Sequence, residues 1–120
     1  MDVCSFFIRI AQTFKVVKRS DDPTYVTLGE TLVLNITYEY NGGGGVGLKW
    51  SYISGKLLIE KFRTGGADDI VDARASIVGK ATLVLTNTKL SDNETYSIRV
   101  DPRDSATKTE TFEVIIQGSY

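Results

Sequence analysis

Apolar and polar residues alternate along most of this chain. Between residues 31 and 40, Leu32, Leu34, Ile36 and Tyr38 share one face, while Thr31, Val33, Asn35 and Thr37 share the other. A period of two marks a strand with one buried side. The same pattern, with β-branched and aromatic residues, predicts strands over 14–17, 24–28, 48–53, 56–62, 73–78, 81–86, 95–100 and 108–117. Turn residues punctuate them: Ser20-Asp21-Asp22-Pro23, Gly29-Glu30, the glycine-rich run from Asn41 to Gly47, Ser54-Gly55, Gly79-Lys80, and a corner at residues 90–94. No segment keeps a helical period over about eleven residues.

About nine short strands with frequent turns predict an all-β protein, a sandwich of two antiparallel sheets. Residues 1–13 read as an N-terminal arm or extra strand, in which Phe6, Ile8 and Ile10 alternate with Phe7, Arg9 and Ala11. Asp2 and Arg9 are unlike the basic start and unbroken apolar core of a signal peptide. The domain proper is 14–117, followed by a short tail, 118–120.

Composition narrows the function classes. With 120 residues, 42% hydrophobic and 24% charged, the chain is one ordinary domain. Fourteen Lys and Arg against fifteen Asp and Glu give a net charge of -1, unlike the basic surface of a nucleic-acid binder. There is no histidine, which removes the commonest general base and metal ligand. The one cysteine, Cys4, permits no disulfide within the chain and no thiolate zinc site. The expectation is a binding module rather than an enzyme, with no catalytic residues, cofactor or metal. No apolar run is long enough to cross a membrane as a helix.

Five motifs in order carry a resemblance. Gly29-Glu30-Thr31-Leu32-Val33-Leu34-Asn35-Ile36 looks like strand B of a variable-type immunoglobulin domain, Trp50 like the core tryptophan of strand C, and Arg74-Ala75-Ser76-Ile77 like the start of strand D. Ala81-Thr82-Leu83-Val84-Leu85 looks like strand E, and Asp92-Asn93-Glu94-Thr95-Tyr96-Ser97-Ile98 like the run entering strand F. From about Phe14 to Gln117 the chain therefore resembles a V-set immunoglobulin domain. The resemblance implies a Greek-key sandwich, a corner tyrosine at Tyr96 and a salt bridge between Arg74 and Asp92. Ile36 and Ile98 stand at the two positions where the family carries its core disulfide. Strand G lacks the Phe-Gly-x-Gly bulge of antibody domains, which argues against antibody-like pairing. Among V-set domains without the cysteine pair, the chain is similar to the first ectodomain of the allorecognition proteins of colonial hydroids. Those are cell-surface membrane proteins, and the similarity implies an extracellular location and homophilic binding between cells.

Other features have bland and functional readings. Gly42-x-Gly44-x-x-Gly47 has dinucleotide-loop spacing but no following helix, so it reads as a flexible loop. Asp68, Asp69 and Asp72 read as solvated acid rather than a calcium site. Lys15, Lys18 and Arg19 read as a solvated edge that discourages strand addition. Asn35-Ile36-Thr37 and Asn93-Glu94-Thr95 are glycosylation sequons.

The expected partner is a protein, another copy of this chain on an opposing cell, bound through the sheet of strands G, F, C and C′. Outward positions by phase are Lys49, Ser51 and Ile53 on strand C, Ser97 and Arg99 on strand F, and Ile115 on strand G. Glu60 and Glu113 supply carboxylates that Lys49 and Arg99 can meet, as a two-fold contact requires. The alternative is a spacer, or a heterophilic receptor domain, within a longer ectodomain.

Overall fold

The computed structural model describes residues 13–118. Cys4 and all of the N-terminal arm except Thr13 lie outside the described residues, as does the tail beyond Gly118. Strands β1 (Phe14–Lys18), β2 (Thr24–Thr27), β3 (Leu32–Leu34), β4 (Ile36–Tyr40), β5 (Val46–Tyr52) and β6 (Leu57–Lys61) form the first half. They are followed by β7 (Asp69–Ile70), β8 (Ala75–Val78), β9 (Thr82–Leu85), a 3-10 turn at Leu90–Asp92, β10 (Thr95–Pro102) and β11 (Lys108–Gln117).

One sheet has six strands in the order β2-β11-β10-β5-β6-β7. The opposing layer is built from β3-β9-β8 and the β1-β4 pair. The strand expected over residues 31–40 is divided at Asn35. There the carbonyl of Asn35 accepts from the amides of Arg19 and Ser20 at 2.9 and 3.2 Å, and its amide donates to Ser20 Oγ at 2.7 Å. The backbone pairing of β3 with β9 thus gives way to pairing of β4 with β1.

The N-terminal strand serves both layers. β1 runs antiparallel to β4, and after the Ser20–Pro23 break β2 runs parallel to β11. Three side-chain bonds tie this segment to β11. Lys108 Nζ donates to the Phe14 carbonyl at 2.7 Å, Lys18 Nζ to the Thr111 carbonyl at 2.6 Å, and the Glu113 amide to Asp22 Oδ1 at 2.9 Å. Lys18 is therefore not the solvated edge residue expected from sequence. It pairs with Asp22 at 2.8 Å and lies 4.5 Å from the centre of the Phe112 ring. These contacts hold the Asp22 carboxyl below its ordinary pKa, the Lys18 hydrogen bond first.

The core fills the space between the layers. Leu32, Leu34 and Ile36 from one side and Trp50, Ile98 and Phe112 from the other are all at most 2% exposed. Each such side chain contributes roughly 1.5–3 kcal/mol relative to exposure. Trp50 stacks obliquely on Phe112, ring centres 5.6 Å apart, and its indole nitrogen donates to the Ala81 carbonyl at 2.9 Å. That bond ties the six-stranded sheet to the start of β9. Ile36 and Ile98 belong to the same buried cluster, one from each layer.

Candidate protein-binding face

The outer face of the six-stranded sheet is defined by register. Arg99 on β10 is the cross-strand partner of Lys49 on β5, Lys49 of Glu60 on β6, and Glu60 of Asp69 on β7. On the other side Arg99 faces Thr109 on β11. Partners in register point to the same side of a sheet, so Thr109, Arg99, Lys49, Glu60 and Asp69 make one row across it. The next row is neutral: Thr111, Ser97 and Ser51. Beyond it lie Glu113, opposite Thr95, and Ile53, whose amide bonds the Thr95 carbonyl at 2.8 Å. Ile53 is 59% exposed, whereas Ile115 is half-buried beside its partner Tyr25 on β2.

The charges in the first row are unspent. Among the described residues the ion pairs are Lys18–Asp22, Arg74–Asp72 and Arg74–Asp92. Arg99 and Lys49 are like charges directly opposite one another, an unfavourable cross-strand pair. They line a groove of about 360 Å³ that continues past Glu60 to Phe62, Arg63 and Asp101.

The glycine-rich loop borders this groove and is held in place. The Tyr40 hydroxyl donates to the Gly43 carbonyl at 3.3 Å and accepts from the Asp104 amide at 3.2 Å. A Cβ at Gly45 would collide with the Arg63 carbonyl oxygen. Glycine there permits a close backbone approach, and no helix follows, since Gly47 already lies in β5.

A charged cluster closes the opposite end of the sandwich. Arg74 Nη1 and Nη2 donate to Asp92 Oδ2 and Oδ1 at 2.8 and 3.0 Å, a two-pronged contact. Asp92 is fully buried and also accepts from the Tyr52 hydroxyl and the Lys89 amide, each at 2.7 Å. Burial alone would raise its pKa, but the Arg74, Lys89 and Tyr52 donors outweigh that and hold it at about 2. Burial first, and then the Asp92 carboxylate, push the Tyr52 hydroxyl up to about 12. Tyr96 donates its hydroxyl to the Asp92 carbonyl at 2.8 Å. Asp72 is not the solvated acid expected from sequence: it grips Arg74 at 2.9 Å, which lowers its pKa.

No protein-family model and no curated protein matches the chain. Solved structures do. Murine CRIg aligns over 86% of this chain and 98% of its own, with TM-score 0.67 and 16% identity. The extracellular domain of the voltage-gated sodium channel β4 subunit, described as a parallel homodimer that explains its role in cell–cell adhesion, aligns over 87% and 98%, with TM-score 0.66 and 20% identity. The first Ig domain of Dpr1, solved bound to that of DIP-eta, aligns over 84% and 95%, with TM-score 0.63 and 17% identity. The chain has the variable-type immunoglobulin fold.

In immunoglobulin terms β1 and β2 are the split strand A, β3 and β4 are B, and β5, β6 and β7 are C, C′ and C″. Strands D, E, F and G are β8, β9, β10 and β11. The row of charges thus crosses G, F, C, C′ and C″. Lys49, Arg99 and Glu60 come together in it, while Glu113 and Ile53 sit two rows away. Asp69 completes the row and escaped the sequence reading, because a strand of two residues carries no readable period. Asn35 is exposed on the other layer. Asn93 is exposed at the Tyr96 corner, where its Oδ1 accepts from the Ile116 amide at 2.8 Å. Among the described residues no helix is long and apolar enough to cross a membrane.

Proposed function

We propose that this domain is an extracellular recognition and adhesion domain of a cell-surface glycoprotein, and that it binds a second copy of itself through the outer face of β11, β10, β5 and β6. The observation that carries this reading is the row of unpaired charges of both signs on that face, Arg99 and Lys49 beside Glu60. Ser51, Ser97 and Ile115 contribute polar and apolar area, and Ile53 and Glu113 form the far edge. Glycans on Asn35 and Asn93 would leave the face open. The homodimer described for the sodium channel β4 domain and the paired Ig domains of Dpr1 and DIP-eta give the fold precedents for such contacts. The similarity to hydroid allorecognition ectodomains supports a role in self/non-self recognition. Weak binding suffices at a cell surface, where many copies act together.

Sedimentation equilibrium of the purified chain tests this directly. Self-association that Ile53→Glu combined with Arg99→Glu abolishes is the expected result. A strict monomer at high concentration would transfer the role to a heterophilic partner or a spacer. Self-association untouched by the double substitution would refute the face.

A further inference from the structure

The order of charges across the six-stranded sheet dictates how two copies fit together. Reading from β10 to β7, the row runs Arg99, Lys49, Glu60, Asp69: two cations, then two carboxylates. Adjacent strands are about 4.8 Å apart, so the four groups span roughly 14 Å. Two copies meeting face to face are related by a two-fold axis lying in the plane between them. Two orientations of that axis are distinct for this row.

An axis perpendicular to the strands and lying along the row sets each residue against itself. Arg99 would face Arg99, and Asp69 would face Asp69. Sliding the copies along the strands relieves the clash only by laying the charges over Thr111, Ser97 and Ser51, which desolvates them without a counter-charge. Sliding the other way sets Arg99 against the partner's Asp101 but lays Lys49 over Gly47 and Glu60 over Phe62, again without a counter-charge. An axis parallel to the strands, running between β5 and β6, does the opposite. It inverts the row, so that Lys49 meets the partner's Glu60 and Arg99 meets the partner's Asp69, each twice over.

We propose that two copies associate side by side about this strand-parallel axis, with their strands running in the same direction and their C-terminal ends on the same side. This rests on the reading that the face binds itself, and it adds the arrangement: which residue meets which across the pair, and the direction in which the two sets of strands run. The inner pairs, Lys49 with Glu60, lie nearest the axis and carry most of the effect. Sheet twist splays the outer pairs apart.

Charge reversal in two matched variants of the 120-residue chain tests whether the row pairs by charge between copies. Lys49→Glu with Arg99→Glu makes the row wholly negative, and Glu60→Lys with Asp69→Lys makes it wholly positive. Each variant alone should lose self-association by about tenfold or more, and an equimolar mixture should regain it. Energy transfer between labels at Gly118→Cys, in a Cys4→Ser background, reads the orientation. Gly118 has open space around it. Thr109 lies in the row and β11 continues to Gln117, so the labels sit under about 30 Å apart in the parallel pair and about 55 Å apart in the antiparallel one. Variants that lose self-association but do not recover on mixing overturn the charge pairing and leave the face standing. Variants that self-associate like the wild type overturn the face as well. Recovery with low energy transfer overturns the parallel arrangement.

Discussion

Replacing Asp92 with Asn should remove a defined portion of the domain's acid sensitivity. The buried carboxylate takes two Arg74 donors, the Lys89 amide and the Tyr52 hydroxyl. Its pKa falls from an ordinary 3.8 to about 2 in the folded chain. A group with a depressed folded pKa stabilises above its unfolded pKa, and that contribution disappears as pH falls through the folded value. At about 1.4 kcal/mol for each tenfold change in proton affinity, the drop is worth roughly 2 kcal/mol. It should be fully present at pH 7 and decline between about pH 5 and pH 2. Asn keeps the shape and one acceptor but cannot ionise. Urea unfolding of wild type and Asp92→Asn across that range gives the measurement. The variant should be less stable by about 2 kcal/mol at pH 7, with the gap closing toward pH 2. Parallel stability curves, with a constant gap, would refute an ionised Asp92 as the source. The Asp22 carboxyl, lowered by Lys18, remains in both proteins and cancels in the difference, whereas Asp72 shares Arg74 with Asp92 and is lowered further once that neighbouring negative charge is gone.

Two further perturbations probe the core and the loop. Ile98→Ala should cost about 2–5 kcal/mol in chemical denaturation, because the side chain is fully buried between the layers. Gly45→Ala forces a Cβ toward the Arg63 carbonyl, so it should lower stability by about 1–3 kcal/mol and shift the amide resonances of the loop and of Arg63 while leaving those of the Tyr96 corner unmoved.

The strands were legible wherever one face is buried. Leu32, Leu34 and Ile36 alternate with exposed neighbours in the sequence as in the fold, and Leu48, Trp50 and Tyr52 likewise point inward. What escaped depends on distant partners. The break at Asn35 is made by Ser20, fifteen residues earlier in the chain, and no local propensity encodes it. Asp72 and Lys18 resemble any surface charge until folding brings Arg74, Phe112 and Thr111 to them. Tyr52 reads as a core aromatic by phase, and its polar tip was the available hint that a buried acceptor, Asp92, would face it. The charge row was half visible: phase put Lys49 and Arg99 outward, but only the pairing of β6 with β7 brings Asp69 alongside Glu60.

The division of the N-terminal strand between the two layers has a mechanical consequence. β2 lies parallel to β11, so tension applied through the two chain ends draws these neighbours in opposite directions along their length. Their interstrand bonds are then loaded in shear and must fail together, whereas a pair pulled apart from one end unzips bond by bond. Before that load arrives, the β1–β4 pairing and the Lys108, Lys18 and Asp22 ties to β11 must give way. A domain held in this way resists extension most strongly in the direction in which a tethered molecule is pulled, and its lifetime under load is set by the rate of that shear step rather than by its equilibrium stability.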